Sequence, residues 1–194
     1  MFDQITFGRA FFEGLVEIDE KTVKQVAEGD CLRCRGPLHR SDYPRKPRGA
    51  LMAEAGEAFL TRFSLCCGRE GCRLRATPPS LRFLGRRVYL GVVVIVATIL
   101  AQEATTAEGI RRETGVPART TRRWRDWWQG AFLGSSVFVA LCAQLIGVAV
   151  KELPASIVLR LAGTPQEQVR SLLHWLRPLT TGTGIGSRML RDIA

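Results

Sequence analysis

Between Thr105 and Trp128 the chain reads TTAEGIRRETGVPARTTRRWRDWW, and this stretch leaves few conformations open. Thr105 and Glu108 have the spacing of a capping box, in which the two side chains satisfy free amide groups at a helix start. Gly115 stands where a helix closes on a left-handed residue. Val116 bridges the turn, and Pro117 suits the first position of a second helix, where no amide hydrogen is needed. The spacing from Ile110 through Gly115 to Trp124 predicts a helix-turn-helix. At 100° per residue the second helix sorts into two faces. Thr121, Trp124 and Trp128 fall on one side and can pack on the first helix. Arg119, Arg122, Arg123 and Asp126 fall on the other. The bland reading of those arginines is a solvated helix surface. Cap, turn and facing signals agree, however, and they point to a recognition helix for double-stranded DNA, since Arg bonds guanine O6 and N7 in the major groove. Arg119, Thr120, Arg122 and Arg123 are the candidate base contacts.

The formal net charge of +10 over 194 residues suits a polyanionic partner, with nucleic acid ahead of an anionic membrane surface. Glu13, Glu17, Asp19, Glu20, Glu28 and Asp30 interrupt the N-terminal stretch, which has no clean apolar core and cleavage site. A cytoplasmic location is the expectation, and in that reducing compartment paired cysteines argue for metal rather than disulfides.

Cys31-Leu-Arg-Cys34-Arg-Gly36 has the form of a metal knuckle, two thiolates three apart and then a glycine that lets the backbone turn beneath the ion. The second pair lies in Leu65-Cys66-Cys67-Gly68-Arg69-Glu70-Gly71-Cys72. Cys72 is one ligand, and its partner is Cys66 or Cys67. Adjacent strand residues face opposite ways, so only one of them ligates. Cys67 is favoured, because Gly68 and Gly71 then form a tight turn between ligands. Four thiolates make a closed tetrahedral zinc site with no open position for catalysis; the bland reading is a set of small buried thiols.

Leu38 to Tyr43 and Phe59 to Leu65 read as strands bracketing Pro44-Arg45-Lys46-Pro47-Arg48-Gly49, a stiff basic loop. The outline is a zinc ribbon, with His39 a surface residue of its first strand. Arg33, Arg35, Arg40, Arg45, Lys46, Arg48, Arg62, Arg69, Arg73, Arg75 and Arg82 outnumber Asp42, Glu54, Glu57 and Glu70 across this region. The excess points to phosphate contacts, with Arg45, Lys46 and Arg48 foremost.

Residues 1 to 29 read as a lead-in. Phe2, Ile5, Phe7, Phe11 and Phe12 follow no single period. Asp19 to Glu28 is a short helix with Val23 and Val26 inward, and the acidic residues form a solvated face. Val88 to Gln102 is too short to cross a bilayer. Its β-branched residues favour a strand, but a helix-turn-helix needs a third helix to cover it, so a buried helix is predicted. Residues 131 to 150 carry no charge, yet Gly134, Ser135, Ser136, Gln144 and Gly147 argue for a packed helix rather than a membrane span, with Cys142 a buried thiol. Pro154 to Leu161 and Pro165 to Leu176 give two more helices, the second with Val169, Leu172, Leu173 and Leu176 inward. His174 is isolated, and the tail from Thr180 through Ser187 reads as flexible.

CLRC, YPRKPRG, LCCGREGCRLRATPPS, RFLGRRVY and GIRRETGVPARTTRRW, in that order, resemble small bacterial zinc-ribbon and helix-turn-helix proteins associated with transposable elements. The layout is similar to the DNA-binding front end of insertion-sequence transposases. The resemblance spans residues 30 to 130. It implies an accessory, regulatory or end-recognition role, with duplex DNA and a transposase or recombinase subunit as partners. A transposase of the acidic-triad type needs three carboxylates to hold two metals. Beyond Trp128 the chain offers only Glu152, Glu167 and Asp192, so no catalytic residue is assigned. A divergent transposase or nuclease, and a repressor unconnected with transposition, are the alternatives. The expected fold is mainly α with a small β zinc ribbon, a homeodomain-like helix-turn-helix and C-terminal helices. Its parts are a lead-in to 29, a ribbon over 30–85, the helix-turn-helix over 86–130 and a helical region over 131–194.

Overall fold

The computed structural model describes residues 7 to 84, 89 to 103 and 105 to 181. Eight helices and five short strands are present among them: α1 (Arg9–Ala27), β1 (Leu38–Arg40), β2 (Tyr43–Pro44), α2 (Met52–Ala55), β3 (Thr61–Arg62), β4 (Leu65–Cys67), β5 (Arg75–Ala76), α3 (Gly91–Gln102), α4 (Ala107–Thr114), α5 (Ala118–Gln129), α6 (Ser136–Gln144), α7 (Ala155–Val158) and α8 (Pro165–Leu176). The chain is mainly helical with a small antiparallel sheet, as its sequence predicts. The sheet runs β1-β4-β5, and β2 pairs with β3 beyond it.

The residues expected to form two long strands break in mid-course. Asp42 turns its carboxylate onto the Ser64 amide at 2.9 Å, which separates β1 from β2. Phe59 and Leu60 belong to a 3-10 turn over Glu57–Leu60, so the returning strand begins only at Thr61. Cys67 faces Leu38 across β1 and β4, and Cys66 faces His39.

α3 lies at the centre. Every residue from Gly91 to Leu100 is buried, so this is a buried helix, as its place before α4 and α5 predicts in spite of its β-branched residues. Gly91 permits the approach of α8, because a Cβ there would stand 2.7 Å from Leu173 Cδ2. α4 and α5 both pack on α3. Thr121, Trp124 and Trp128 point inward, and Trp127 joins them. Trp127, Trp128 and Phe132 stack at 4.6 to 5.2 Å between ring centres. Aromatic residues of this size bury about 150–250 Å² each, which makes the α5 face a large part of the apolar burial.

The ends of α4 and α5 correct two sequence expectations. Thr106, not Thr105, caps α4: its hydroxyl accepts from the Gly109 amide at 3.1 Å. Glu108 therefore falls one place too early to close a capping box. Pro117 is the N-cap of α5 rather than its first residue, and its carbonyl accepts from Thr120 and Thr121. Gly115 does close α4 in the left-handed region, at φ +68°.

The lead-in is also more than expected. α1 is one helix from Arg9, and Phe11, Phe12, Leu15, Asp19, Thr22 and Val23 are buried along it. Asp19 is no part of a solvated face. Its carboxylate accepts from Arg82 Nε at 2.8 Å, from the Leu81 amide at 2.7 Å and from the Ser80 hydroxyl. Arg82 is fully buried, donates to the Ala58 and Thr61 carbonyls, and lies 3.9 Å from the Phe63 ring centre. Burial lowers the pKa of Arg82 and takes that of Arg62 down to about 10. One apolar core draws on residues from Phe7 to Leu179, and a small second cluster of Val23, Phe63 and Leu65 lies under the sheet.

The uncharged stretch 131–150 is not one packed helix. Ser135 caps α6, accepting from the Phe138 amide at 3.1 Å, and the helix ends at Gln144. Only Val137 and Leu141 of α6 are buried, while Cys142 is exposed rather than a core thiol. No helix among the described residues is long and apolar enough to cross a membrane. α8 buries Val169, Leu172, Leu173 and Leu176 as expected, and starts on a capping box from Thr164 and Glu167. Gly182 to Ser187 of the tail lie outside the described residues, as do Phe2, Ile5 and Val88.

Candidate metal centre and basic helix

Two backbone turns bring four sulfurs together. In the first, the Cys31 amide donates to the Gly36 carbonyl at 2.9 Å and the Arg35 amide to the Cys31 carbonyl at 2.8 Å. Arg35 takes a positive φ of 57° to complete the turn. Gly36 has no room for a side chain, since a Cβ there would lie 3.1 Å from the Cys67 sulfur and 3.4 Å from that of Cys34. In the second, the Cys67 amide donates to the Leu74 carbonyl at 2.9 Å and the Cys72 amide to that of Arg69 at 3.2 Å. Gly71 turns the chain at φ +77°.

The Sγ atoms of Cys31, Cys34, Cys67 and Cys72 all lie within 4.8 Å of one another, an arrangement that could hold a metal ion. Cys31 and Cys72 are 3.8 Å apart, and Cys34 and Cys67 3.4 Å. Thiolates 2.3 Å from a tetrahedral zinc stand about 3.8 Å apart, so the spacing suits a four-coordinate ion. Cys66 is outside the cluster; its thiol faces the Arg73 carbonyl at 3.5 Å. Alternation along β4 separates the two neighbours in this way. The Cys34 and Arg33 amides hold the Cys31 thiol at about 7, below its usual 9.0, while burial raises Cys67. Four thiolates around one four-coordinate ion would leave no open position for a substrate. His39 lies over Gly68 on β1 and takes no part in the cluster.

Many arginines of this region hold the fold together. Arg62 and Arg82 are buried. Arg40 bridges Glu20 and Asp42, Arg75 donates to the Ser41 carbonyl at 2.6 Å, and Arg69 to that of Cys34 at 2.9 Å. Arg45 is half-buried, its guanidinium 5.3 Å from the Tyr43 ring centre. Lys46 and Arg48 remain exposed in the loop.

On α5, Arg119, Arg122, Arg123 and Arg125 are exposed with Asp126, and Thr120 is half-buried. Tyr89 meets Trp124 edge-on at 5.0 Å and fixes the inner face opposite them. Sequence reasoning did not foresee that the basic loop touches the turn beneath α5. The Ala50 amide donates to the Thr114 carbonyl at 2.9 Å, and the backbones of Arg48 and Tyr89 pair in an isolated parallel β-bridge. The signal was present only as Gly49 and Gly115, two glycines far apart in the chain.

Comparison of the chain with protein-family models, curated proteins and solved structures finds no match.

Proposed function

We propose that this chain is a zinc-stabilised protein that binds duplex DNA with sequence preference through α5. The observation that carries the reading is the division of α5: four residues of its inner face are buried against α3 and α4, and four arginines stand exposed on the remainder. α4, the turn at Gly115–Pro117 and α5 then act as a helix-turn-helix with α3 as its covering helix, and residues near the start of α5 reach base edges. Zinc is the ion best suited to four thiolates in a closed tetrahedral set, and the four-cysteine unit acts as a zinc ribbon.

Among the described residues, the four cysteines are the one group of three or more His, Cys, Asp and Glu close enough to hold an ion. Glu167 is engaged in the cap of α8, and Asp192 lies outside the described residues. The reading assigns DNA binding to α5 and metal binding to the four cysteines. The accessory or end-recognition role in a mobile element, beside a transposase or recombinase, rests on the order of the sequence motifs alone.

Arg122→Ala tests the role of α5. It is expected to cost about 1–3 kcal/mol on a preferred duplex and to relax base preference at one position. Fluorescence anisotropy on preferred and random duplexes measures both effects. Equal weakening on the two would make α5 a phosphate-binding surface and not a reader.

A further inference from the structure

We infer that the loop carrying Lys46 and Arg48 and the start of α5 form one continuous surface for a single stretch of duplex DNA, joined by the contact between Gly49 and Gly115. This rests on the DNA-binding reading of α5 and adds a second, sequence-independent arm to it.

The joint is a close approach of two backbones. A Cβ on Gly115 would lie 3.0 Å from the Ala50 nitrogen and 3.2 Å from Gly49 Cα. A Cβ on Gly49 would lie 3.1 Å from the Thr114 carbonyl oxygen and 3.2 Å from Val93 Cγ2. Both glycines have positive φ, +128° at Gly49 and +68° at Gly115, where other residues are strained. The hydrogen bond from Ala50 to Thr114 spans the joint. The Arg48 backbone adds its β-bridge to that of Tyr89, whose ring meets Trp124 of α5 edge-on. The loop is therefore held both to the turn before α5 and, through Tyr89, to α5 itself.

Its charges sit next to this joint. Arg48 directly precedes Gly49, and Arg119 lies in the first turn of α5, just past the Gly115–Pro117 turn. Both are exposed, as is Lys46. A major groove is about 12 Å wide, so a helix seated in it brings chain beside its N-terminus against the bordering phosphates. Lys46 and Arg48 are placed for those phosphates, while Arg119 and Arg122 face the groove. The stiffness of Pro44 and Pro47 around Arg45 and Lys46 reduces the ordering cost of such a contact.

The test uses the full, metal-loaded chain with two probes, a duplex pool of random sequence and the duplex most enriched from it. Lys46→Ala with Arg48→Ala should lower the salt slope of binding by about two units on both, because each lost phosphate contact removes about 0.9. Base preference should not change. Hydroxyl-radical footprinting should show the lost protection on phosphates next to the base pairs whose preference Arg122→Ala relaxes. Gly49→Val should lose the same slope by displacing the loop. If that variant folds poorly, the alanine pair still decides the matter, since both of its side chains are exposed. An unchanged slope, or protection lost away from those base pairs, overturns the joint surface and leaves the role of α5 standing. No binding to either duplex overturns both.

Discussion

Cys31→Ser is expected to release the metal and unfold the sheet, while Cys66→Ser, only a few residues from the same centre, keeps both. The difference follows from how little else holds this part of the chain. Its strands are two or three residues long, and the cluster beneath them consists of Val23, Phe63 and Leu65 with a few half-buried neighbours. Such a sheet does not bury enough apolar surface to offset its own ordering, about 1–2 kcal/mol per residue for the backbone alone. Binding of a structural zinc by four thiolates contributes about 10–16 kcal/mol in small zinc peptides, and that binding energy is folding energy. Cys31 is buried within the cluster, and serine would supply a poor ligand at its position. Elemental analysis reads the metal, and limited proteolysis between residues 31 and 76 reads the sheet. Tryptophan emission should move less, since Trp124, Trp127, Trp128 and Trp175 belong to the helical part. Loss of metal from Cys66→Ser equal to that from Cys31→Ser would contradict the assigned ligands.

Asp19→Ala is expected to destabilise the whole chain by about 3–5 kcal/mol, because it strands the Arg82 guanidinium in a buried site. That is a large share of the roughly 5–15 kcal/mol by which domains are stable. Asp19 and Arg82 have side-chain exposures of 1% and 0%, so neither charge finds water when its partner is gone. The same carboxylate also receives the Leu81 amide and the Ser80 hydroxyl, and these lose their acceptor too. Glu20→Ala, one residue away, is the comparison. Its ion pair with Arg40 is exposed by 37% and 40%, and pairs of that kind contribute about 0–1 kcal/mol. Urea unfolding of the two variants should separate them clearly. A cost below about 1 kcal/mol for Asp19→Ala would mean that α1 is not tied to the core through this pair.

The same residue shows why part of the fold was hidden in the sequence. Phe11, Phe12, Leu15, Asp19, Thr22 and Val23 make a helical stripe along α1, but an acid and a threonine stand within it where apolar residues would be. A pattern search sees an interrupted period there. The ion pair that makes Asp19 an inward residue comes from Arg82, far along the chain, and no local rule finds it. α5 was legible because its stripe is aromatic and its other face is arginine. The thiol cluster was legible because metal knuckles are local and strand alternation separates Cys67 from Cys66. Residues 131 to 150 misled for the opposite reason. Absence of charge reads as burial, but Ser135 and Gly147 interrupt the backbone and leave most of α6, including Cys142, on the surface. The junction of Gly49 with Gly115 is likewise a tertiary contact, signalled in sequence only by two glycines whose pairing the sequence does not express.

Selection of binding sites from a random duplex pool by the full, metal-loaded chain tests the central claim, that α5 reads DNA sequence. A short enriched motif is expected, lost or shifted at one position when the selecting protein carries Arg122→Ala. Recovery of an unenriched pool, or of the same motif with Arg122→Ala as with the unaltered chain, would contradict it.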